Sequence, residues 1–591
     1  MASIQDMVAN ARKLLGSGQH DRARDVLLDV VRVDPAQGDA LLMLGFIEKE
    51  AGRPADAERW VRQCVETSPN SAEARVNLGV LVSAQGREEE AEREFRSALR
   101  INPSLAMAHY SLAKTLRNLG RLDEALETLR ASLRIDPRIA PAHLRLAIGL
   151  CEQGRVLEAI ESLNTAISLG TANDVALPNR LMAFNCVMSD PAMVFAEHKR
   201  FGDALVAQAG PPRAHKNVRN PERVIRLGLV SADLRLHSCA YFLEPILSRL
   251  DPARFELACY SNSTLEDAVT ARFKGYAWRW RSVAGLTVAE ADAMIRADKV
   301  DVLIECSGHT DSSRLDILAA KPAPVQGTFL GYPNTTGLST IDFRIVDSIS
   351  DPPAPRSDSD SRCVERLVRL DPCAWCYRPS EEAPEVAPPP FRSAGHITFG
   401  SFNNLTKLSR AAVELWSRVL DRVPGSKLVI KNRWMSDPPT AERVRERFAA
   451  CGIDRARIIT TPFAKGVREH LAIYGQVDLQ LDTFPYHGTT TTCESFWQGV
   501  PVVTLTGNVH ASRVSTSLLH AVGLGDLAAE TPKGFVDTAV ALAQDTERLA
   551  RIRAGLRGMM ERSPLRDEAG YAAKFSEVIR AEFVRWCAGR K

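Results

Sequence analysis

The sequence predicts a helical solenoid followed by two parallel α/β lobes, and three observations carry that expectation. Glycines recur every 34 residues at Gly18, Gly52, Gly86, Gly120 and Gly154. Beyond about residue 222 the pattern changes to short, β-rich apolar runs that alternate with helical stretches. A proline- and acid-rich segment, SEEAPEVAPPP from Ser380 to Pro390, divides that second part in two.

Each repeating glycine is followed five residues later by alanine, at Ala23, Ala57, Ala91, Ala125 and Ala159. Prolines keep the same step at Pro35, Pro69, Pro103 and Pro137, and small residues at Gly45, Gly79, Ala113 and Ala147. This is the period of tetratricopeptide repeats. Each repeat is a helix–turn–helix unit that cannot bury its apolar face alone, so neighbours stack into a solenoid with a concave groove. The small residues fall where helices approach closely, and the prolines end the second helix of each pair. Such a groove usually holds another protein, so a polypeptide substrate or partner is expected.

The solenoid is expected over residues 1–170 and an irregular helical adaptor over 171–221. In the first lobe, 222–378, the strand candidates are RVIRLGLVSAD, FELACYSN, VDVLIECSG, PVQGTFLGYP and FRIVDS. A connector over 379–394 leads to a second lobe, 395–591, with HITFGSFN, KLVIKN, RIITTPF, VDLQLDT and VPVVTLTG. Strands alternating with helices indicate parallel sheets, hence two Rossmann-like lobes with a cleft between them. Ligands of such sheets bind beyond the carboxyl ends of the strands.

Bulk properties narrow the function classes. At 591 residues the chain is too long for one domain. A formal charge of +3 gives no general nucleic-acid footprint, and the arginines of the repeats are accompanied by acids, as in REEE from Arg87 to Glu90. No run of about 18 apolar residues exists for a membrane span. The opening MASIQDMVANARKLLGSGQ lacks the apolar core of a signal peptide. Twelve scattered cysteines without a disulfide framework fit a reducing cytoplasm, the expected location. Cys373-Ala-Trp-Cys376 has metal or redox spacing, but no second pair completes four ligands, so these are read as ordinary thiols. Ser357-Asp-Ser-Asp360 lies in a proline-rich loop and is rejected as a metal motif. With no HExxH or other ligand cluster, metal independence is the working expectation.

The densest chemical signal is LDTFPYHGTTTTCESFWQGVP, from Leu481 to Pro501. A strand ends near Thr483, Gly488 makes a tight turn, and four threonines lead into a helix. After the Gly488 turn, the hydroxyls of Thr489, Thr490 and Thr491 and the free backbone N–H groups at the helix start form a site for a diphosphate. One threonine suffices to cap a helix, so a run of four favours anion binding over capping. The absence of G-x-G-x-x-G and of a P-loop weakens oxidoreductase and NTPase readings. Glu494, a few residues into that helix, is placed to receive a ribose hydroxyl. His237, in SADLRLHSCAYF, follows a strand and faces the expected cleft, where it would take a proton from an acceptor hydroxyl. His309, in ECSGHT, repeats that arrangement. Lys407, in TFGSFNNLTK, would neutralise charge on a departing phosphate.

Together the repeats and the motifs HSCAYF, SGHT, APVQGTFLGYPNTTG, TFGSFNNLTK and DTFPYHGTTTTCESFWQGVPVVTL closely resemble glycosyltransferase family 41 along essentially the whole chain. That family contains the protein O-GlcNAc transferases and the SPINDLY proteins of plants. The resemblance implies a GT-B fold and an inverting, metal-independent transfer of sugar from a nucleotide donor, UDP-GlcNAc foremost, to Ser or Thr of proteins, with no further cofactor. By the same resemblance His237 is the cleft histidine proposed as base and Lys407 binds the donor diphosphate. Asn404 falls near the nucleotide, His470 stacks on the nucleobase, Gly331 and Tyr332 belong to the loop beside the donor sugar, and Glu494 stands for a ribose-binding aspartate.

Departures from the animal enzymes matter too. Tyr241, His309, Asn334 and the Thr489–Thr492 run look more like SPINDLY, whose plant members use GDP-fucose. The alternatives are therefore a fucosyltransferase, a flagellin-type transferase with another nucleotide sugar, or a non-catalytic repeat scaffold that senses a nucleotide sugar. Transfer of a hexose to asparagine is the weakest variant. The asparagine ladder of long animal enzymes is essentially missing: one repeat register reads Met43, Asn77, Ser111 and Arg145. Periodicity by itself does not reveal whether exposed apolar residues on a repeat join two copies into a homodimer.

Overall fold

The computed structural model describes residues 3–170 and 173–589 and divides into two compact units. One unit comprises residues 1–149 with 165–172, the other 150–164 with 173–591.

The first unit is the repeat array. Its helices pair as Ile4–Gly16 with His20–Val33, Gly38–Glu50 with Pro54–Thr67, Ala72–Ala84 with Glu88–Ile101, and Ala106–Asn118 with Leu122–Ile135. A fifth pair, Ala140–Glu152 and Val156–Ser168, straddles the division between the units. The periodic alanines Ala23, Ala57 and Ala91 are fully buried. A Cβ on Gly79 would lie 2.7 Å from the Phe95 ring, so this position needs glycine for helix-to-helix contact.

An ionic ladder joins successive repeats. Arg62 bonds Glu58 at 2.7 Å and also reaches Glu90 in the next repeat, while Arg87 bonds Glu58 at 2.5 Å. Thirty-four residues on, Arg96 bonds Glu92 at 2.8 Å and Glu124 at 2.5 Å, and Arg121 bonds Glu92 at 2.7 Å. Hydrogen bonding, first from Arg87, holds the Glu58 carboxyl at about 2. Each half-exposed pair contributes about 0–1 kcal/mol, so the ladder refines a stack that apolar burial already drives.

The second unit contains two parallel sheets. The first lobe carries β1 (Ile225–Ser231), β2 (Phe255–Ser261), β3 (Arg279–Ser282), β4 (Val302–Glu305), β5 (Val325–Thr328), β6 (Phe343–Val346) and β7 (Arg366–Arg369), in spatial order β3-β2-β1-β4-β5-β6-β7. The second carries β8 (Thr398–Ser401), β9 (Lys427–Lys431), β10 (Ile458–Thr461), β11 (Leu479–Leu481), β12 (Val502–Leu505) and β13 (Ala528–Ala529), in order β10-β9-β8-β11-β12-β13. The expected α/β alternation is present in both lobes, which together make a GT-B arrangement. The edge strands β3, β7 and β13 escape the sequence reading because two are arginine-rich and one has only two residues.

Each sheet reverses its strand order once, between β1 and β4 and between β8 and β11. Such switch points open crevices at the carboxyl ends of the strands. Two helices outside the sheets brace the first lobe. The adaptor helix Pro191–Ala209 packs Phe201, Leu205 and Val206 against the core cluster that contains Leu315, Leu318, Leu338 and Ile341. The final helix Glu568–Cys587, expected with the second lobe, buries Tyr571, Phe575, Ile579 and Phe583 in the core of β1, β2 and β4. Its apolar stripe fits that side, so the chain crosses back to the lobe it left.

Candidate active site

At the β8–β11 crevice, Asp482 organises the turn that follows β11. Its buried carboxylate accepts the backbone N–H of Thr483 and of Gly488, both at 2.9 Å, and the Thr504 hydroxyl at 2.8 Å. Gly488 is crowded: a Cβ there would lie 2.5 Å from the Thr491 hydroxyl. Thr489 is the N-cap of the helix Thr490–Trp497, yet its side chain makes no capping bond. The first ladder bond runs from Cys493 N to Thr489 O, so the amides of Thr490, Thr491 and Thr492 precede it and present the helix dipole. Thr491 donates to Asn403 Oδ1 at 2.8 Å and Thr492 pairs with Ser515 at 3.0 Å.

Lys407 reaches this turn from the β8 side. Its ammonium donates to the His487 carbonyl at 2.8 Å and sits 3.7 Å from the centre of the Tyr486 ring. Burial lowers it to about 8, with Cys186 and Asp482 pulling it back up. A desolvated cation beside a helix start is arranged to gain from a diphosphate. Thr406 fixes the loop by donating to the Cys151 carbonyl at 2.8 Å, in the last repeat turn. Asn404 is exposed and caps this loop through Thr406 N at 3.2 Å, whereas its neighbour Asn403 is the one that touches the threonine run.

Deeper along the same helix, Glu494 Oε2 accepts from His470 Nε2 at 3.0 Å and from the Tyr474 hydroxyl at 2.9 Å. The other ring nitrogen of His470 meets the ammonium of Lys431, at the end of β9. In that arrangement Nδ1 accepts from Lys431 while Nε2 donates to Glu494. Burial lowers Lys431 to about 8, against the pull of Glu494. Phe463, largely exposed, places its ring 5.6 Å from His470 and extends an aromatic surface.

In the first lobe, the loop after β1 carries His237, half-exposed, with Nδ1 3.5 Å from Asp233 Oδ1 and 3.3 Å from the Cys239 amide. Burial lowers His237 and raises Asp233, while their mutual attraction opposes both shifts. Ligand-capable atoms of Asp233, His237 and Cys239 lie within 4.8 Å of one another. Burial pushes the Cys239 thiol far up, which makes it a poor metal ligand. The two lobes adjoin here: Tyr241 and Phe242, shortly after His237, pack on the second-lobe core that holds Leu481 and Phe496.

After β4 the environment differs. His309 is 2% exposed, its Nε2 bonds the Thr336 carbonyl at 2.8 Å, and its Nδ1 has no partner among the described residues. Rings of His198, Phe201 and Tyr332 surround it at 5.2, 5.0 and 4.9 Å. Burial therefore holds it neutral, well below its ordinary value. Tyr332 is buried with its hydroxyl between Asn185, at 3.0 Å, and His198 Nε2, at 2.7 Å. Gly331 passes so near the Cys306 carbonyl that a Cβ would lie 2.0 Å from it. Glu305 at the end of β4 is raised to about 7 by burial despite amide bonds from Ser307 and Gly308.

The structure thus gathers Lys407, Gly488, Thr489, Thr490, Thr491, Glu494 and His470 around one crevice and puts His237 on the facing one. It packs His309 and Tyr332 into a buried ring cluster. Sequence reasoning passed over Asp233, Asn403, Lys431 and Asp482. Their signal was a charged or amide residue at or just beyond the carboxyl end of a strand. Cys373 and Cys376 are buried free thiols, the latter raised to about 12 by burial.

Two Rossmann-like lobes with an anion-ready helix start and a facing histidine define the class of GT-B nucleotide-sugar transferase folds. The family model for glycosyl transferase family 41 matches residues 205–364 and 393–575, and tetratricopeptide-repeat models match 8–72, 50–115 and 82–143. The chain belongs to glycosyltransferase family 41. It is 39% identical over 420 residues to the Arabidopsis thaliana protein named probable UDP-N-acetylglucosamine–peptide N-acetylglucosaminyltransferase SPINDLY, covering 70% of this chain and 45% of that protein. A Caenorhabditis elegans UDP-N-acetylglucosamine–peptide N-acetylglucosaminyltransferase is 24% identical over 488 residues, covering 63% and 42%. The chain therefore spans less than half the length of these relatives. A mutant of the Thermobaculum terrenum O-GlcNAc transferase superposes with a TM-score of 0.71 at 30% identity, covering 94% of this chain and 99% of that one. Among the described residues no helix is long and apolar enough to cross a membrane.

Proposed function

We propose that this chain is an inverting, metal-independent protein O-glycosyltransferase that moves GlcNAc from UDP-GlcNAc to Ser or Thr of a polypeptide held partly by the repeats. The observation that carries the reading is the placement of Lys407 and the Thr489–Thr491 helix start opposite His237, in one structural unit. The acceptor hydroxyl oxygen forms a bond to the anomeric carbon as the bond from that carbon to the diphosphate oxygen breaks. The hydroxyl proton passes to His237 or to a donor phosphate oxygen. Lys407 and the helix start take up the charge that grows on the leaving diphosphate. Glu494 and His470 hold ribose and base.

A second reading, fucosyl transfer from GDP-fucose, rests on the resemblance of Tyr241, His309, Asn334 and the Thr489–Thr492 run to the plant SPINDLY proteins. Calorimetric titration with UDP, GDP and CMP separates them. Micromolar binding of UDP alone supports a UDP-sugar donor, preference for GDP supports the second reading, and preference for CMP overturns both. Loss of transfer in His237→Ala and Lys407→Ala with an unchanged circular dichroism spectrum supports the assigned roles. Unchanged turnover in either variant removes that residue from the mechanism.

A further inference from the structure

A separate cavity lies where the adaptor, the first lobe and the second lobe meet. Phe184 and Val194 of the adaptor, Arg344 and Arg362 of the first lobe, and Phe484 and Asn508 of the second contribute to its wall. Its volume is about 90 Å³. Roughly three waters fill such a space, each taking about 30 Å³, whereas a site for a drug-sized ligand needs about 300 Å³ or more. The cavity therefore suits a group the size of a phosphate or carboxylate and is too small for a nucleotide sugar or a peptide segment.

Arg344 makes this cavity chemically unusual. It lies on β6, where Phe343 points into the apolar core and strand alternation sends the next side chain to the other face. The residue is 5% exposed, yet its guanidinium makes no hydrogen bond or ion pair among the described residues. An unpaired buried cation is costly, so such groups are normally neutralised. Asp351 also lines the cavity; against burial, His510 and then Arg344 hold its carboxyl low, and no hydrogen bond joins it to Arg344. Asp351 pairs with His510 at 2.5 Å. Glu365 accepts from the Thr335 hydroxyl at 2.5 Å, the Thr336 amide at 2.8 Å, the Thr336 hydroxyl and the Cys363 thiol at 3.0 Å. Arg362, also on the wall, bonds the exposed Asp358 at 2.8 Å and adds a second positive group.

We propose that this cavity is a binding site for a small oxyanion, a phosphate or carboxylate group held by Arg344. The planar guanidinium offers paired donors that match the oxygens of either group. The site is independent of the donor crevice. Its lining residues Phe184 and Asn185 adjoin the Tyr332 hydroxyl through Asn185, so an occupant also braces the loop of Gly331 and Tyr332.

The test uses the full chain carrying Lys407→Ala, which weakens diphosphate binding in the donor crevice. Thermal unfolding is compared in sodium chloride, sodium phosphate and sodium acetate at equal ionic strength. Phosphate or acetate is expected to raise Tm by about 2 °C at saturating concentration, and adding Arg344→Met is expected to abolish that rise. A rise that survives Arg344→Met, or no rise with either anion, overturns the proposal. Should Arg344→Met fail to fold, crystals of the unaltered chain grown with tungstate give the second measurement. An anomalous peak within hydrogen-bond distance of Arg344 supports the site, and its absence overturns it.

Discussion

Asp233 holds its carboxylate 3.5 Å from Nδ1 of His237, four residues later in the same loop. A carboxylate at that nitrogen favours the tautomer with the proton on Nδ1, which leaves Nε2 to accept one. The Cys239 amide, 3.3 Å from the same nitrogen, favours the opposite tautomer. Which neighbour prevails decides whether His237 can act as a base.

Asp233→Asn is expected to lower kcat by about 10-fold to 100-fold with little change in donor KM. Because the Asp233 charge raises the His237 value against burial, its removal should move the acid limb of the pH–rate profile to lower pH. A profile that keeps its acid limb would show that Asp233 serves the loop fold alone.

Lys407 is held at about 8 by burial. Below that pH the free site carries the ammonium, and above it a neutral amine. Affinity for the donor diphosphate is expected to fall as pH rises through about 8, and binding near pH 8 should take up protons. Calorimetry in buffers of different ionisation enthalpy reads that uptake directly. Lys407→Ala should lower kcat by about 10²-fold to 10³-fold and remove the alkaline limb.

Glu494 is the shared acceptor of His470 and Tyr474. Glu494→Ala removes the anion from the Lys431–His470 relay as well as the ribose partner, so the nucleoside diphosphate should bind about 10-fold to 100-fold more weakly. Glu494→Asp, which keeps the charge, should lose less. Equal affinity in the alanine variant would place the ribose elsewhere.

Acid should loosen the repeats. The Glu58 carboxyl is depressed to about 2, so its stabilising contribution is complete above the unfolded value near 4.5 and is lost as pH falls toward 2. Thermal melts between pH 6 and pH 3 are expected to show the repeat transition falling, and Glu58→Gln should flatten that fall.

Gly202 of the adaptor helix meets the backbone of Gly337, where a Cβ would stand 1.9 Å from the carbonyl oxygen. Neither chain can yield cheaply. Gly202→Ala is expected to cost about 1–3 kcal/mol and to separate the adaptor from the first lobe, measured by denaturant unfolding and by proteolysis near residue 210.

Local signals made much of this architecture legible. The 34-residue step fixes helix, turn and close approach together, because the same steric demand recurs at Gly45 and Gly79. The run after β11 is equally local: strand end, glycine turn and helix start are consecutive in the chain. His237 and His309 look alike in the sequence, each a histidine beyond a strand. They differ because His198 and Phe201, more than a hundred residues earlier than His309, cover one and not the other. Lys431 is similarly opaque, since nothing near it announces that Glu494 and His470 will converge there. The last helix was assigned to the nearer lobe for the same reason: its stripe shows that it is buried, not against what.

The ladder between repeats has a bearing on how this chain can change length. Glu58 and Glu92, Arg62 and Arg96, and Arg87 and Arg121 are interchangeable parts at a fixed pitch. Removing or duplicating one whole 34-residue block from the middle of the array would join Arg62-type and Glu124-type residues in the same geometry that Arg62 and Glu90 now have. The length of the repeat array can thus be adjusted in discrete increments of one 34-residue block, without redesigning a joint or touching the two lobes.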